Sequence, residues 1–337
     1  MNKKLLALAL SAIAAGAASA QTANVTLYGI VDTYVASERR TGASVTVVQS
    51  GGISGSRWGM RGSESLGGGM NAVFVLEGGF AADTGALGQG GLLFGRQAYV
   101  GLNGGFGSVT VGRQYAPSFY VQCNADDSFG GCLTAWSAVA NMNGFYANTL
   151  RPNNAVIYAT PNMGGVTAAL MWSAGESTVS TSAGRTLGAN LQYKNGPLYA
   201  GLGYSDQKNA LATASDKHIS FGATYNFGVA YAGIFYAENK SQTGVKSKPL
   251  VGSVTVPFGA ARLGLQLAQV KTGSVKATSA ALLGEYDLSK RTNVYAIFSQ
   301  CKDKGVRCTA DGNTGAITTL ASGNSSSAFG LGIKHKF

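Results

Sequence analysis

Four cysteines, one adjacent carboxylate pair and two histidines are the residues with most scope for chemistry in this chain of 337 residues. Cys123 and Cys132 stand nine residues apart, Cys301 and Cys308 seven apart. Asp126 and Asp127 lie between the first two cysteines, in the stretch 116–150, APSFYVQCNADDSFGGCLTAWSAVANMNGFYANTL. Thiols at such spacing form disulfides in an oxidising compartment or, joined by histidine, hold a metal ion. His218 and His335 are far from both pairs in sequence, so two local disulfides are the preferred reading and a metal site the weaker one. Closing a loop this short contributes about 2–3 kcal/mol on the chain-entropy account. It would hold the 116–150 stretch in one shape.

Enzyme chemistry has little to work with. The chain carries no G-x-S-x-G, H-E-x-x-H or Walker sequence. His335 is flanked by Lys334 and Lys336 at the end of an alternating segment, which suits a structural role better than that of a base. The Gly-Gly clusters resemble phosphate loops only superficially, because no helical pattern follows them. No catalytic residue, cofactor or metal is expected.

The N-terminus sets the compartment. MNKK is a short cationic segment, Leu5–Ala18 an apolar one, and Ala18-Ser19-Ala20 a small-residue cleavage site before Gln21. That three-part pattern predicts a secretory signal peptide over 1–20 and a mature chain over 21–337. Loss of Lys3 and Lys4 leaves 24 basic residues against 15 acidic ones, a net charge of +9. No later segment holds the roughly 18 apolar residues of a spanning helix. There is no linker or shift in composition, so a single domain is expected.

The elements that must position these residues are strands. Val25–Asp32, Met70–Phe80, Phe94–Leu102, Ser108–Gln114, Val166–Ala174, Leu198–Asp206, His218–Phe227, Arg262–Val270 and Ser325–Phe337 all alternate with a period of two. In 54–61, Trp58 and Met60 share one face and Arg57 and Arg61 the other; in 70–80, Ala72, Phe74 and Leu76 oppose Asn71 and Glu77. About sixteen such strands are predicted, an all-β fold. Short turns alternate with longer polar connections, such as Ser37–Thr46 and Lys302–Asn324. An apolar outward face with a polar inward one points to an antiparallel transmembrane β-barrel rather than a soluble sandwich, and closure leaves no unpaired edge. Residues 116–150 do not alternate, yet Phe119, Tyr120, Phe129, Trp136, Phe145 and Tyr146 call for apolar surroundings. The expectation is an insertion folded into the barrel mouth and narrowing it. Lys240, Lys246 and Lys248 are expected on a solvated loop rather than as a ladder for anions.

VTLYGIVD, SRWGMRGSESLGGGMNAVFVLEGGF, LFGRQAYVGLNGGFGSVTVGRQY, RPNNAVIY, LSKRTNVYAIF and the terminal GIKHKF, in that order, resemble the trimeric Gram-negative general porins of β-proteobacterial type. The resemblance covers essentially the whole mature chain. It implies a 16-stranded barrel, three barrels per assembly, and a constriction loop folded into each lumen where basic wall residues face acidic groups. By motif, the wall residues are Arg57 of SRWG, Arg96 of GRQA and Arg151 of RPNN, with Glu77 of LEGGF beside them and Asp126 and Asp127 on the loop. Alternation supports Arg57 and Glu77 but gives Arg96 the parity of Phe94, Ala98 and Val100, an outward position unless a bulge intervenes. The four cysteines and the sparse acidity of the loop depart from the family pattern. The implied function is passive diffusion of small hydrophilic solutes and ions across the outer membrane with a mild anion preference. The alternatives are a substrate-specific anion channel or, in another class, an adhesin or enzyme on a barrel scaffold. The implied partners are two further copies of the chain, outer-membrane lipid and lipopolysaccharide, and inorganic anions, with no nucleic acid.

Overall fold

The alternating segments pair into one closed sheet. The structure, a computed structural model, describes residues 24–40, 43–125, 150–304 and 325–337. In chain order the strands are β1 (Asn24–Arg40), β2 (Ala43–Ser50), β3 (Arg57–Gly67), β4 (Met70–Gly79), β5 (Gln97–Gly104) and β6 (Gly107–Arg113). The single described helix, α1 (Pro117–Ala125), follows. After it come β7 (Ala155–Ala159), β8 (Val166–Ser173), β9 (Thr186–Asn195), β10 (Leu198–Lys208), β11 (Ser215–Asn226) and β12 (Tyr231–Lys240). The last five are β13 (Lys246–Phe258), β14 (Ala261–Thr272), β15 (Val275–Asp287), β16 (Thr292–Lys304) and β17 (Ser325–Lys336).

From β3 onward each strand pairs antiparallel with the next, and β17 pairs back onto β1 from Ile30↔Lys336 to Arg39↔Ser327. Reciprocal backbone bonds of 3.1 Å between Gly29 and Phe337 continue the seam past the last strand residue. The seventeen strands make a sixteen-stranded barrel because β2 and β3 both pair with β1, one above the other. Thr33 pairs with Ser50, while Ile30, three residues earlier, pairs with Arg57, seven residues later. Four surplus residues therefore bulge out between the two halves of one barrel strand. Asp32 anchors that bulge, accepting from the backbone N–H groups of Ile53 (2.9 Å) and Ser54 (2.7 Å) and from the Tyr295 hydroxyl (2.6 Å).

Two expectations need correction here. The 37–46 segment is not a long external connection: β1 runs to Arg40 and β2 starts at Ala43, because alternation through SERR and ASVTVV lets both sides keep pairing. The strand expected over 94–102 begins only at Gln97.

The face assignment is that of a membrane barrel. On β14, Leu263, Leu265 and Leu267 are exposed while Gln266, Ala268 and Val270 on the opposite face are buried. On β17, Phe329, Leu331 and Ile333 point outward. An apolar outer surface over a small and polar inner one inverts the pattern of a soluble protein, since lipid takes the place of a core. Inside, one cluster joins Val121 and Ala125 of α1 to Phe235, Val251 and Val270, and a second joins Tyr34 and Ile53 to Leu283 and Ile297. Turns at 68–69, 105–106, 196–197 and 259–260 close one rim, where the chain also ends. The other rim carries the longer connections 80–96 and 174–185 and the insertion after β6.

Candidate pore constriction

The insertion after β6 opens with a helix that lies on the inner wall. Pro117 suits the first helical turn, where its missing N–H is no loss. The bed beneath α1 is made of glycine on four successive strands. A Cβ added at Gly188 would sit 3.2 Å from Pro117 Cδ, at Gly203 3.1 Å from Ser118 Cα, and at Gly201 3.3 Å from Val121 Cγ1. At Gly222 it would meet Ala125 Cβ at 2.5 Å, and at Gly233 the Ala125 carbonyl oxygen at 2.3 Å. The helix reaches the wall because these positions lack side chains. Polar bonds hold it there: Asn190 Nδ2 donates to the Pro117 carbonyl (2.8 Å), and Asn124 Nδ2 to Gln192 Oε1 (2.9 Å). Ala116 N–H donates to the Leu150 carbonyl (3.1 Å), tying the two ends of the insertion together.

Beside α1, cross-strand pairing gathers the charged residues. Tyr28 pairs with Gly59, Gly59 with Glu77 and Glu77 with Gln97, one row on the inward face, and Ile30↔Arg57 and Thr26↔Arg61 flank it. Glu77 accepts from Arg96 Nε (2.7 Å) and from the Tyr28 hydroxyl (3.0 Å). Arg96 Nη2 donates to the Tyr115 hydroxyl (2.8 Å), and so does Arg151 Nη2 (2.6 Å). The Arg151 guanidinium lies 4.4 Å from the Tyr115 ring centroid, and Phe119 of α1 stacks on that ring at 4.4 Å and 9°. Tyr115 therefore couples both arginines to the helix. Burial raises the Tyr120 phenol above its ordinary range, with Tyr99, Tyr115 and Glu77 adding to the shift, although part of its ring is exposed.

Arg96 escapes its outward parity because it precedes β5. Residues 80–96 leave the sheet, so alternation does not govern the side chain, and the Arg96 N–H donates to the Glu77 carbonyl (3.1 Å). Arg57 is different. No ion pair joins it to a described residue, and its Nε is buried without a hydrogen-bond partner among them. Three guanidinium groups around one carboxylate leave a local charge of about +2, most of it at Arg57 and Arg151.

The sequence as a whole matches the pattern described as Gram-negative porin over residues 7–305. The chain belongs to the Gram-negative porin family. Outer membrane porin protein 32 of Delftia acidovorans is 41% identical over 212 residues, 60% of this chain and 59% of that protein. An outer membrane porin of Bordetella pertussis is 36% identical over 233 residues, with the same shares. These matches thus span about three fifths of the curated relatives' length. A solved structure, an anion-selective porin from Comamonas acidovorans, superposes with a TM-score of 0.80 at 32% identity, over 94% of this chain and 100% of that one.

Several residues that position the cluster were not expected from the porin's sequence. Arg113 donates to the carbonyls of Gly95 (2.7 Å) and Arg151 (2.9 Å) and to Asn153 Oδ1 (2.6 Å), fixing the backbone on which Arg96 and Arg151 stand. The signal was present as a repeated Gly-Arg-Gln, at 95–97 and 112–114. Tyr28 and Tyr115 gave none beyond their type. A second inward network, toward the short-turn rim, also escaped: Glu285 binds Arg262 (2.5 Å) and Lys334 (3.3 Å) and accepts from Asn293.

Asp126, Asp127, Cys132 and Cys308 lie outside the described residues, as does the predicted signal peptide. Cys123 and Cys301 are both disulfide-bonded. His218 is buried against Asn239 (2.6 Å), and His335 meets Thr292 Oγ1 (2.8 Å) at the short-turn rim. Among the described residues no group of three or more His, Cys, Asp or Glu could hold a metal ion.

Proposed function

We propose that this porin is a passive outer-membrane pore for small hydrophilic solutes and ions, with a mild preference for anions. The observation that carries the reading is Arg57, an inward-facing cation on β3 that forms no ion pair with a described carboxylate, next to the Arg96–Glu77–Tyr115–Arg151 network. A positive potential in a narrow passage concentrates anions and repels cations. The likeness to an anion-selective porin supports the same sign. Residues 116–150 act as the constriction loop, with α1 its first turns, and Asp126 and Asp127 give the opposite wall its negative charge. Solutes move down their gradient, so no bond is made or broken and no catalytic group is called for.

Three copies assemble through apolar outward faces near the chain ends, which include Phe329, Leu331 and Ile333. Export removes residues 1–20, so the mature chain begins at Gln21. Electrophoresis of unheated protein tests the trimer, and intact mass tests the cleavage site.

The decisive experiment is the zero-current potential of the refolded protein in a planar bilayer under a potassium chloride gradient. Stepwise conductance with a chloride-favouring potential is expected. A cation-favouring potential refutes the anion preference, and absence of channel steps from folded protein refutes the pore. Conductance that saturates with one anion would shift the reading to a substrate-specific channel.

A further inference from the structure

We propose that a recess in the inner wall, between α1 and the short-turn rim, is a docking site for a neutral hydroxylated ring of the size of one sugar unit. This rests on the pore reading above and names a solute class for it. The recess grows from one row of the sheet. Cross-strand pairing sets Ser108 beside Ala159, Ala159 beside Ala169, and Ala169 beside Asn190. Residues of the opposite parity, Val109, Tyr158, Leu170 and Leu191, are exposed on the lipid face, so this row points into the lumen. Two alanines between longer polar neighbours leave a hollow. Tyr115, with Pro117 and Tyr120 of α1, bounds it on the helix side, and its volume is about 280 Å³. That is just under the ~300 Å³ at which sites for drug-sized molecules begin, so one ring fits and a chain of rings does not.

The chemistry of the lining selects the ligand. No charged residue is among the described residues that line the recess. Gln97, Tyr99, Ser108, Tyr120 and Thr167 line it and make no side-chain hydrogen bond to a described residue. Asn190 donates from Nδ2 to the Pro117 carbonyl, while its Oδ1 is buried without a partner. Amides and hydroxyls both donate and accept. An anion offers acceptors only and would face the unpartnered Asn190 oxygen, and a cation would find no carboxylate in this lining. Alcohol hydroxyls, which also donate and accept, match it. The Tyr99 and Tyr120 rings, with Ile157, Ala159 and Ala169, supply apolar surface for the C–H face of such a ring.

The cations of the chain stand elsewhere. Arg96 and Arg151 both donate to the Tyr115 hydroxyl, so their charge is held at the constriction. The expectation that Lys240, Lys246 and Lys248 sit on a solvated loop is wrong: Lys240 ends β12, and the other two open β13. They share the outward parity of the exposed Tyr236 and Leu250, and add nothing to the lumen. Anions and neutral rings are thus served by different parts of one wall. A dissociation constant on the order of 1 mM is expected for a ligand of this size, weak enough for the solute to leave again.

The test uses the full-length refolded protein in a neutral detergent without a sugar headgroup, with glucose, open-chain glucitol and glucuronate as probes read by saturation-transfer NMR. Glucose should bind, and glucitol more weakly because it has no ring face to stack. Tyr99→Leu is expected to weaken glucose about tenfold, the loss of one aromatic contact. Ala169→Trp fills the hollow and should abolish the glucose signal. Neither substitution alters charge, so both variants should open stepwise channels with the wild-type sign of zero-current potential, which shows that the barrel is intact. Absence of a glucose signal from wild-type protein overturns the proposal, as does an undiminished one in either folded variant. Glucitol binding as tight as glucose also overturns it, as does glucuronate binding tighter than glucose that Ala169→Trp abolishes, which would mark an anion site. Wild-type protein that binds glucose in this recess but opens no channel would sink the pore reading and leave the site standing.

Discussion

Replacing Arg57 by glutamine should cut the chloride-over-potassium preference about threefold without unfolding the barrel. The side chain faces inward from the first residue of β3, pairs through its backbone with Ile30, and has no carboxylate partner among the described residues. An ion passing about 6 Å away in a water-filled lumen feels a unit charge by roughly 0.7 kcal/mol. Screening at ~0.15 M salt leaves about half of that, ~0.35 kcal/mol. Removing the charge takes that much stabilisation from the anion and relieves the cation of an equal repulsion. The permeability ratio therefore changes by about 0.7 kcal/mol, close to threefold. The assay is the zero-current potential under a potassium chloride gradient, repeated at ~1 M salt, where the Debye length shrinks to about 3 Å and the effect should largely vanish. Arg57→Lys should retain most of the preference. An unchanged potential in Arg57→Gln at low salt would refute the assignment of selectivity to this residue. A change that persists at high salt would refute its electrostatic origin.

Arg96→Gln should act mainly on stability, because it strands Glu77 in a buried pair that is 9% and 6% exposed in its side chains. Losing one partner of such a pair costs about 3–5 kcal/mol, read as a lower unfolding midpoint. Tyr115→Phe removes the hydroxyl that accepts from both Arg96 and Arg151, and should increase open-channel current noise while shifting stability by about 1–3 kcal/mol. Steady, wild-type current would show that the helix does not depend on that link. Gly233→Ala brings a methyl group against the Ala125 carbonyl and should push α1 into the lumen, lowering single-channel conductance; unchanged conductance would show that the helix does not narrow the passage. Peptide mapping without reduction should recover Cys123 joined to Cys132 and Cys301 to Cys308. A bond between the two pairs would instead tie the insertion to the region around β16.

Much of the architecture was legible because lipid imposes a period of two on every strand. Trp58 and Met60 against Arg57 and Arg61, and Phe74 and Leu76 against Glu77, take the faces that alternation assigns them. Where the chain leaves the sheet, that logic stops. Alternation counted through Phe94 gives Arg96 an outward parity that conflicts with its motif, but 80–96 is not regular strand, and the side chain turns to Glu77. The β2–β3 interruption was invisible for a related reason: GGISGS carries no pattern of its own, and only Asp32 and Tyr295, distant in sequence, make it a bulge.

The sequence by itself determined the strand faces, the order of pairing and the residue types that face the lumen, because each depends on neighbours along the chain or on the surrounding solvent. Tertiary structure alone decided which glycines form the bed of α1, that Tyr115 joins two arginines, and that Arg57 has no ion pair among the described residues. Those properties depend on contacts between residues tens to hundreds of positions apart, and registration between strands is settled only when the barrel closes.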